Sequence, residues 1–267
     1  MAKMYQRLAK NCSDCSDEDF SKNAVNLTDF TCLSNFDGRG VCLYVNKRFE
    51  VLERLNDVEA LFSPSVFCRI KFNSNTILTF GAVYRSPSSS VEDNNKLNMQ
   101  IDLVAKNMMS SGEKLVIVGD FNYPDINWLH DDSNKPPNHP GSLFLDTIQS
   151  NYLTQFIDKP THYRALQNPT LIDLIFSNDQ DLVNNIEYHP PFGRSHHCSI
   201  CFIIDVISVD DNKPSVSKFS INKGKYEEMR KHFQDTDWDA SLQGDDVNVI
   251  WDRFENSVID AMHKFIP

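Results

Sequence analysis

Two polar residues follow the most apolar short run of the chain. Val116-Ile-Val-Gly-Asp-Phe-Asn122 places Asp120 and Asn122 at the carboxyl end of a predicted buried strand. Their side chains flank Phe121, so in an extended backbone they share one face. A carboxylate beside a carboxamide can deprotonate or orient a water molecule while the amide holds it. The alternative is a turn in which both side chains only cap the end of the strand.

A second carboxylate lies inside another apolar run. Asp173 interrupts Leu171–Phe176, and Pro160-Thr-His162 precedes that run. Burying an unpaired carboxylate is costly, so Asp173 requires a partner such as a histidine or a metal ion. The alternative is an edge strand on which Asp173 faces water.

Two further patterns contain a histidine and a tyrosine. The polar loop Gly193–Cys198 leads into a buried strand and contains His197, which could bind phosphate, carry a proton or pair with a carboxylate. Tyr84 ends a predicted strand before the break at Ser86-Pro87. Taken singly, each has a structural alternative: an idle loop histidine and a core aromatic.

The elements that must position these residues alternate between strands and helices. Short runs rich in β-branched and aromatic residues predict strands, and apolar residues at helical spacing predict helices. The predicted strands are Gly40–Asn46, Ser65–Phe72, Thr76–Tyr84, Leu115–Val118, Leu171–Phe176 and Ser199–Val206, with a turn at Asn73–Asn75. The predicted helices are Asp93–Met109, Ser142–Leu153 and Val247–Phe265. This alternation predicts an α/β fold with helices covering sheets.

Composition restricts the class of protein. The 267 residues suffice for one large domain, and no apolar run approaches the length of a membrane span. The first ten residues lack the apolar core of a signal peptide, so we expect an intracellular protein without a membrane partner. A formal net charge of −11 argues against a broad basic surface for nucleic acid, although carboxylates that hold a metal ion also add negative charge.

The seven cysteines favour reduced thiols over a disulfide framework. Cys12-x-x-Cys15 and Cys198-x-x-Cys201 could together be drawn as a zinc site. We do not favour it, because residues three apart in a strand point to opposite faces and cannot chelate one ion.

Taken in order, these patterns resemble the endonuclease/exonuclease/phosphatase superfamily, and specifically the apurinic-type endonuclease domain of LINE-like non-LTR retrotransposons of the jockey and CR1 kind. The resemblance runs from about Asp37 to Val206. It rests on the strand Gly38–Val45, the Tyr-Arg-Ser-Pro step, the Gly-Asp-Phe-Asn box, Pro160-Thr-His162, the Leu-Ile-Asp strand and the final Ser-x-His box. The segment from Lys218 to Pro267 resembles the one that joins such an endonuclease to a reverse transcriptase.

The resemblance implies a four-layer α/β sandwich of two mixed β-sheets flanked by helices, with the site at one rim. Asp120 would activate the attacking water and Asn122 would help to position it. His197 would contact the scissile phosphate, Asp173 would hold the histidine ring, and Tyr84 would support the phosphate or leaving group. Asp120 and Asn122 would be metal ligands, for Mg²⁺ or Mn²⁺. The implied partner is DNA in the nucleus, with retroelement RNA and reverse transcriptase involved where the full-length element is present.

Two departures from the family pattern are visible. The final box normally reads Ser-Asp-His, whereas Ser195-His196-His197 stands here, and an imidazole suits magnesium less well than a carboxylate does. The principal metal-binding glutamate of the family should lie upstream of Asp37, but Glu18 follows no strand and does not match it. We therefore expect an N-terminally truncated domain that lacks its first strands and nicks DNA poorly.

The expected organisation is a poorly ordered segment at 1–36, a partial endonuclease domain at 37–206, and a linker with helices at 207–267. The predicted function is a metal-dependent endonuclease that nicks target DNA to prime reverse transcription. Three alternatives remain: a phosphatase or another phosphodiesterase of the same superfamily, a catalytically inactive remnant or interaction domain, and a zinc-binding module.

Overall fold

The computed structural model describes residues 27–37, 39–72, 76–193, 195–205, 224–244 and 246–266. The chain divides into two compact units, residues 1–208 and residues 209–267. The predicted turn at Asn73–Asn75, the cysteines Cys12 and Cys15, and residues 207–223 of the predicted linker lie outside the described residues.

A six-stranded mixed sheet forms the centre of the first unit. Its spatial order is β3 (Glu50–Arg54), β4 (Ser65–Lys71), β5 (Ile77–Tyr84), β6 (Lys114–Asp120), β10 (Asp173–Ser177) and β9 (Thr154–Gln155). β5 and β6 pair in parallel, and every other neighbouring pair is antiparallel. The parallel pair requires a crossover connection, which α2 (Val91–Ser111) supplies.

Alternation along β6 shows how the sheet separates two apolar layers. Leu115 and Ile117 belong to the core on the helical side, whereas Val116 and Val118 belong to the core on the opposite side. All four are buried, as expected for a strand covered on both faces. The short α1 (Asn56–Glu59), α2 and α3 (Pro140–Ser150) supply residues to the first core.

Two antiparallel hairpins cover the other face. They are β1 (Phe30–Asp37) with β2 (Arg39–Asn46), and β11 (Val183–His189) with β12 (Ser199–Ile204). The predicted α/β class and the helix-flanked mixed sheet are confirmed. In the described ranges the second layer consists of these two hairpins. A further small pair, β7 (Ile126–Asn127) with β8 (Asp132–Ser133), precedes α3.

Residues 30–36 correct one expectation, since they lie in β1 and not in a poorly ordered segment. β1 pairs with β2 without interruption from Phe30↔Asn46 to Asp37↔Arg39. The sequence of β1 has no strong apolar period of its own, so pairing with β2 specifies it. Leu33 packs against the core on the hairpin side.

The second unit contains α4 (Tyr226–Asp235), α5 (Trp238–Ser241) and α6 (Val247–Phe265). The bounds of α6 agree with its predicted range. α4 and α6 meet where the rings of His232 and Phe265 lie 5.4 Å apart between centroids. None of the described helices has both the length and the apolar character that a membrane span requires.

Candidate active site

Three candidate residues occupy one row across the central sheet. Tyr84 on β5 is the direct register partner of Asp120 on β6, and Asp120 is the direct partner of Asp173 on β10. Residues directly opposite each other on neighbouring strands place their side chains on the same face, with Cβ atoms roughly 5 Å apart. The row lies at the end of β5, the end of β6 and the start of β10.

Gly119 allows β6 to reach this row. A Cβ atom added at Gly119 would lie 2.1 Å from the carbonyl oxygen of Val83 on the parallel neighbour, a distance no side chain tolerates. Beyond it, the Asp120 carbonyl accepts from the Arg85 backbone N–H at 2.8 Å, and the Phe121 N–H donates to the Ile172 carbonyl at 2.9 Å. These contacts fix the backbone on both sides of Asp120, a residue that is only 3% exposed.

Asp173 is held at the start of β10 by a buried threonine. The hydroxyl oxygen of Thr161 accepts from the backbone N–H of Asp173 at 3.0 Å and from that of Ile172 at 3.3 Å. Thr161 also accepts at its carbonyl from the Cys198 N–H at 2.8 Å. One residue therefore joins the segment that contains Asp173 to the segment that contains His197.

His197 is the partner that a buried Asp173 requires. Its Nδ1 lies 2.8 Å from Asp173 Oδ2, and its Nε2 lies 3.9 Å from Asp120 Oδ2. A carboxylate can only accept a hydrogen bond, so the ring donates through Nδ1 and its Nε2 is directed to the Asp120 side. The side chains of His197, Asp120 and Asp173 are 11%, 5% and 14% exposed, so water screens their interactions only weakly.

Asn122 and Tyr84 complete the set of predicted residues. Asn122 has φ +51°, in the left-handed region that asparagine tolerates better than most residues, and its Nδ2 donates to the Arg85 carbonyl at 2.7 Å. That bond fixes which way the amide faces and leaves Oδ1 as its acceptor atom. Tyr84 is 9% exposed and packs in the core on the hairpin side. It is therefore both a member of the row and a core aromatic residue.

His196 and His197 have different environments. His196 is exposed, whereas His197 faces the two carboxylates. This difference follows from the backbone, because the His196 carbonyl accepts from the Tyr163 N–H at 2.8 Å and the Cys198 N–H donates to Thr161. Consecutive residues of this paired segment point in opposite directions.

Three residues of the site were not predicted as site residues. Thr161 anchors the Asp173 backbone, and the ring of His162 lies 4.7 Å from that of His197, between centroids. Both belong to the Pro160-Thr-His162 pattern, so the sequence contained a signal for them. The third, Arg85, lies next to Tyr84 and is buried, and nothing in the sequence indicated that.

Asp120, Asp173 and His197 could also hold a metal ion. Each offers one ligand atom, and the three atoms lie within 4.8 Å of one another. Carboxylate oxygens suit Mg²⁺ and Mn²⁺, and the imidazole nitrogen suits Mn²⁺ better than Mg²⁺. The two carboxylates and the imidazole are donors that fit a divalent cation. Cys198 and Cys201, by contrast, are free thiols.

Comparison with known proteins gives a family match over part of the chain and a similar fold. Residues 78–201 match the model of a family described as endonuclease-reverse transcriptase, and this range includes every predicted site residue. No curated protein matches the sequence significantly.

Among solved structures, the endonuclease domain of TRAS1, a telomere-specific non-LTR retrotransposon, matches with a TM-score of 0.55 and 16% identity, over 68% of this chain and 83% of that one. The catalytic domain of Xenopus laevis APE2 gives 0.49 and 15%, over 70% and 78%. A Neisseria 3′ phosphatase, NExo, bound to a product DNA hairpin gives 0.47 and 13%, over 72% and 85%. At these identities the likeness concerns the fold.

Proposed function

We propose that this chain, whose residues 78–201 match the endonuclease-reverse transcriptase family, is the metal-dependent DNA endonuclease of a retroelement, within the endonuclease/exonuclease/phosphatase superfamily. Its reaction is hydrolysis of one phosphodiester bond in target DNA, which leaves a nick that primes reverse transcription. The proposed setting is the nucleus, with the reverse transcriptase and RNA of the same element as partners.

One observation carries this proposal: His197 lies between two carboxylates that come from different strands. Its Nδ1 pairs with Asp173 at 2.8 Å while its Nε2 lies 3.9 Å from Asp120. The second distance is too long for a hydrogen bond, but a single oxygen atom can contact both groups. A phosphate oxygen or an attacking water at that point would meet a donor on one side and a base on the other.

The residues have separate roles in the proposed reaction. Asp120 accepts a proton from the attacking water and orients it, and the amide oxygen of Asn122 holds that water in place. His197, with protons on both ring nitrogens, donates from Nε2 to a phosphate oxygen, while Asp173 accepts from Nδ1 and holds the ring in that orientation. Tyr84 supports the phosphate or the leaving group from the same row of the sheet. A divalent cation held by Asp120 and Asn122 would polarise the phosphoryl oxygen and stabilise the departing 3′ oxygen.

The net charge of −11 bears on how DNA would bind. Affinity for the DNA backbone normally comes from lysine and arginine contacts to phosphates. It falls as the salt concentration rises, because the release of counterions on binding is then less favourable. A chain with this charge is expected to hold DNA through few phosphate contacts. The proposal therefore includes weak non-specific binding, with a shallow dependence on salt.

A plasmid assay tests the proposed function. Purified protein with supercoiled plasmid in Mg²⁺ or Mn²⁺ should slowly produce open circles, and EDTA or Asp120→Asn should each stop the reaction. Asp102→Asn is the matched control, since Asp102 is a surface carboxylate on α2 paired with Lys106. Nicking that survives both EDTA and Asp120→Asn would refute the proposal.

Two other outcomes would identify the alternatives. Hydrolysis of a small phosphomonoester without any nicking would make the chain a phosphatase of the same superfamily. If the folded wild-type protein shows neither nicking nor phosphatase activity, the chain is a catalytically inactive domain.

A further inference from the structure

Arg85 is buried directly behind the turn that contains Asp120 and Asn122. It follows Tyr84 at the end of β5 and is only 5% exposed. Its Nη1 donates to the Asn122 carbonyl at 2.9 Å and to the Phe121 carbonyl at 3.3 Å. A buried guanidinium is costly unless its donors are satisfied, so these carbonyl contacts are part of what allows it to be there.

The other side of the guanidinium is tied to α2 and to an aromatic ring. Nε donates to Asn94 Oδ1 at 2.6 Å, and the guanidinium carbon lies 3.9 Å above the ring of Tyr123. The Tyr123 hydroxyl donates to the same Asn94 oxygen at 3.2 Å. Arg85 and Tyr123 are only 5% and 3% exposed, and this burial lowers the pKa of Arg85 and raises the pKa of Tyr123 to about 12.

The backbone of Arg85 contacts the same turn. Its N–H donates to the Asp120 carbonyl at 2.8 Å, and its carbonyl accepts from Asn122 Nδ2 at 2.7 Å. Main chain and side chain of one residue thus contact Asp120, Phe121 and Asn122 in succession. These contacts surround Asn122, whose φ of +51° is a conformation that persists only where the surrounding structure holds it.

We propose that Arg85 is a positioning residue, which holds Asp120 and Asn122 in their reactive orientation by linking their turn to α2. The inference rests on the proposed function, because the orientation matters only if these two side chains act on water or a metal ion. Lysine cannot replace arginine here, because one ammonium cannot bond two carbonyls and Asn94 while stacking on Tyr123.

The kinetic test is Arg85→Lys, with Arg69→Lys as the matched control. Arg69 lies on β4, away from the row of Tyr84, Asp120 and Asp173, and forms ion pairs with Glu53 and Glu113. We expect Arg85→Lys to lower kcat for nicking about 10- to 100-fold, as loss of groups that orient ligands commonly does. KM for DNA should stay unchanged, because Arg85 is buried and does not contact DNA. If the variant were only less folded, the amount of active enzyme would fall but kcat per folded molecule would not change. Arg69→Lys should change neither constant.

The second variant and a second readout keep the test decisive. Asn94→Ala removes the contact between Arg85 and α2 but leaves Arg85 in place, so it should also lower kcat. It therefore tests the proposal even if Arg85→Lys fails to fold. The side-chain amide signals of Asn122 in an NMR spectrum, assigned by their loss in Asn122→Asp, should shift in Arg85→Lys and Asn94→Ala but not in Arg69→Lys.

The two readouts separate the possible failures. If the wild type does not nick DNA but the Asn122 signals shift as expected, the proposed function fails and the positioning role stands. If the signals and kcat are both the same in wild type, Arg85→Lys and Asn94→Ala, the positioning role is overturned.

Discussion

Asp120 and Asp173 are direct partners in the antiparallel ladder between β6 and β10, although they lie 53 positions apart in the sequence. Two carboxylates on the same face at this spacing repel each other unless a cation or a hydrogen-bond donor lies between them. The imidazole of His197 occupies that position, in contact with Asp173 and near Asp120. The relationship makes each of the three side chains dependent on the other two, and the first two predictions test this.

Replacing Asp173 by asparagine should lower kcat for nicking by about 10²- to 10⁴-fold, the range over which a positioned acid or base contributes. The amide lacks the negative charge that holds a proton on His197 Nδ1, and it can itself donate to that nitrogen. The ring therefore loses the charge and the fixed orientation with which it would bind a phosphate oxygen. Initial rates on supercoiled plasmid measure the effect. Asp146→Asn, at an exposed position of α3, is the control. Equal rates for Asp173→Asn and wild type would contradict the assigned role.

His197 and His196 should respond differently to alanine. His197→Ala should abolish nicking, because it removes the imidazole that pairs with Asp173 and lies near Asp120. His196→Ala should retain most of the activity, since His196 is exposed and faces away from the carboxylates. The same plasmid assay compares the two. Similar losses from both changes would mean that the geometry has been misinterpreted.

Gly119→Ala should destabilise the fold by roughly 1–3 kcal/mol or more, the usual cost of overpacking a well-packed core. The added methyl group would meet the Val83 carbonyl at 2.1 Å, so β5 and β6 must separate where they carry Tyr84 and Asp120. Urea denaturation measures the free energy of unfolding. Gly141→Ala is the matched control, because its methyl group would have no heavy atom nearer than 3.4 Å. An unaltered midpoint for Gly119→Ala would refute the close approach of the strands.

Stability should fall steeply above pH 9. Burial, with a smaller effect of the Glu59 charge, raises the pKa of Cys68 from 9.0 to about 12, and burial raises the pKa of Tyr123 from 10.0 to about 12. In the unfolded chain both groups lose protons at lower pH. Their contributions to stability are therefore complete below about pH 9 and are lost as pH rises towards 12, with a slope of up to about 1.4 kcal/mol per pH unit for each group.

Unfolding experiments at a series of pH values between 8 and 11 test this prediction. Cys68→Ala should make the decline in the free energy of unfolding shallower from pH 9 upwards, because one of the titrating groups is gone. A decline of the same slope in Cys68→Ala and wild type would show that Cys68 does not contribute.

The local elements and the polar residues at their ends can be predicted from short stretches of the sequence. Apolar runs fixed β5 and β6 to within one residue at most of their observed starts, and helical spacing fixed α6 from Val247 to Phe265. Such features depend on neighbours in the chain, which periodicity reports directly. The order of polar patterns also sufficed for the family resemblance, which the family match over residues 78–201 confirms.

The way in which these elements meet depends on long-range packing. β1 has no clear period and exists because β2 pairs with it, and Arg85 in sequence is one more charged residue after a strand. The register that sets Asp120 opposite Asp173, and the bond that draws His197 to Asp173, join segments far apart in the chain. The free energies of strand pairing and of burial depend on contacts between residues far apart in the chain. Local sequence patterns therefore cannot predict them.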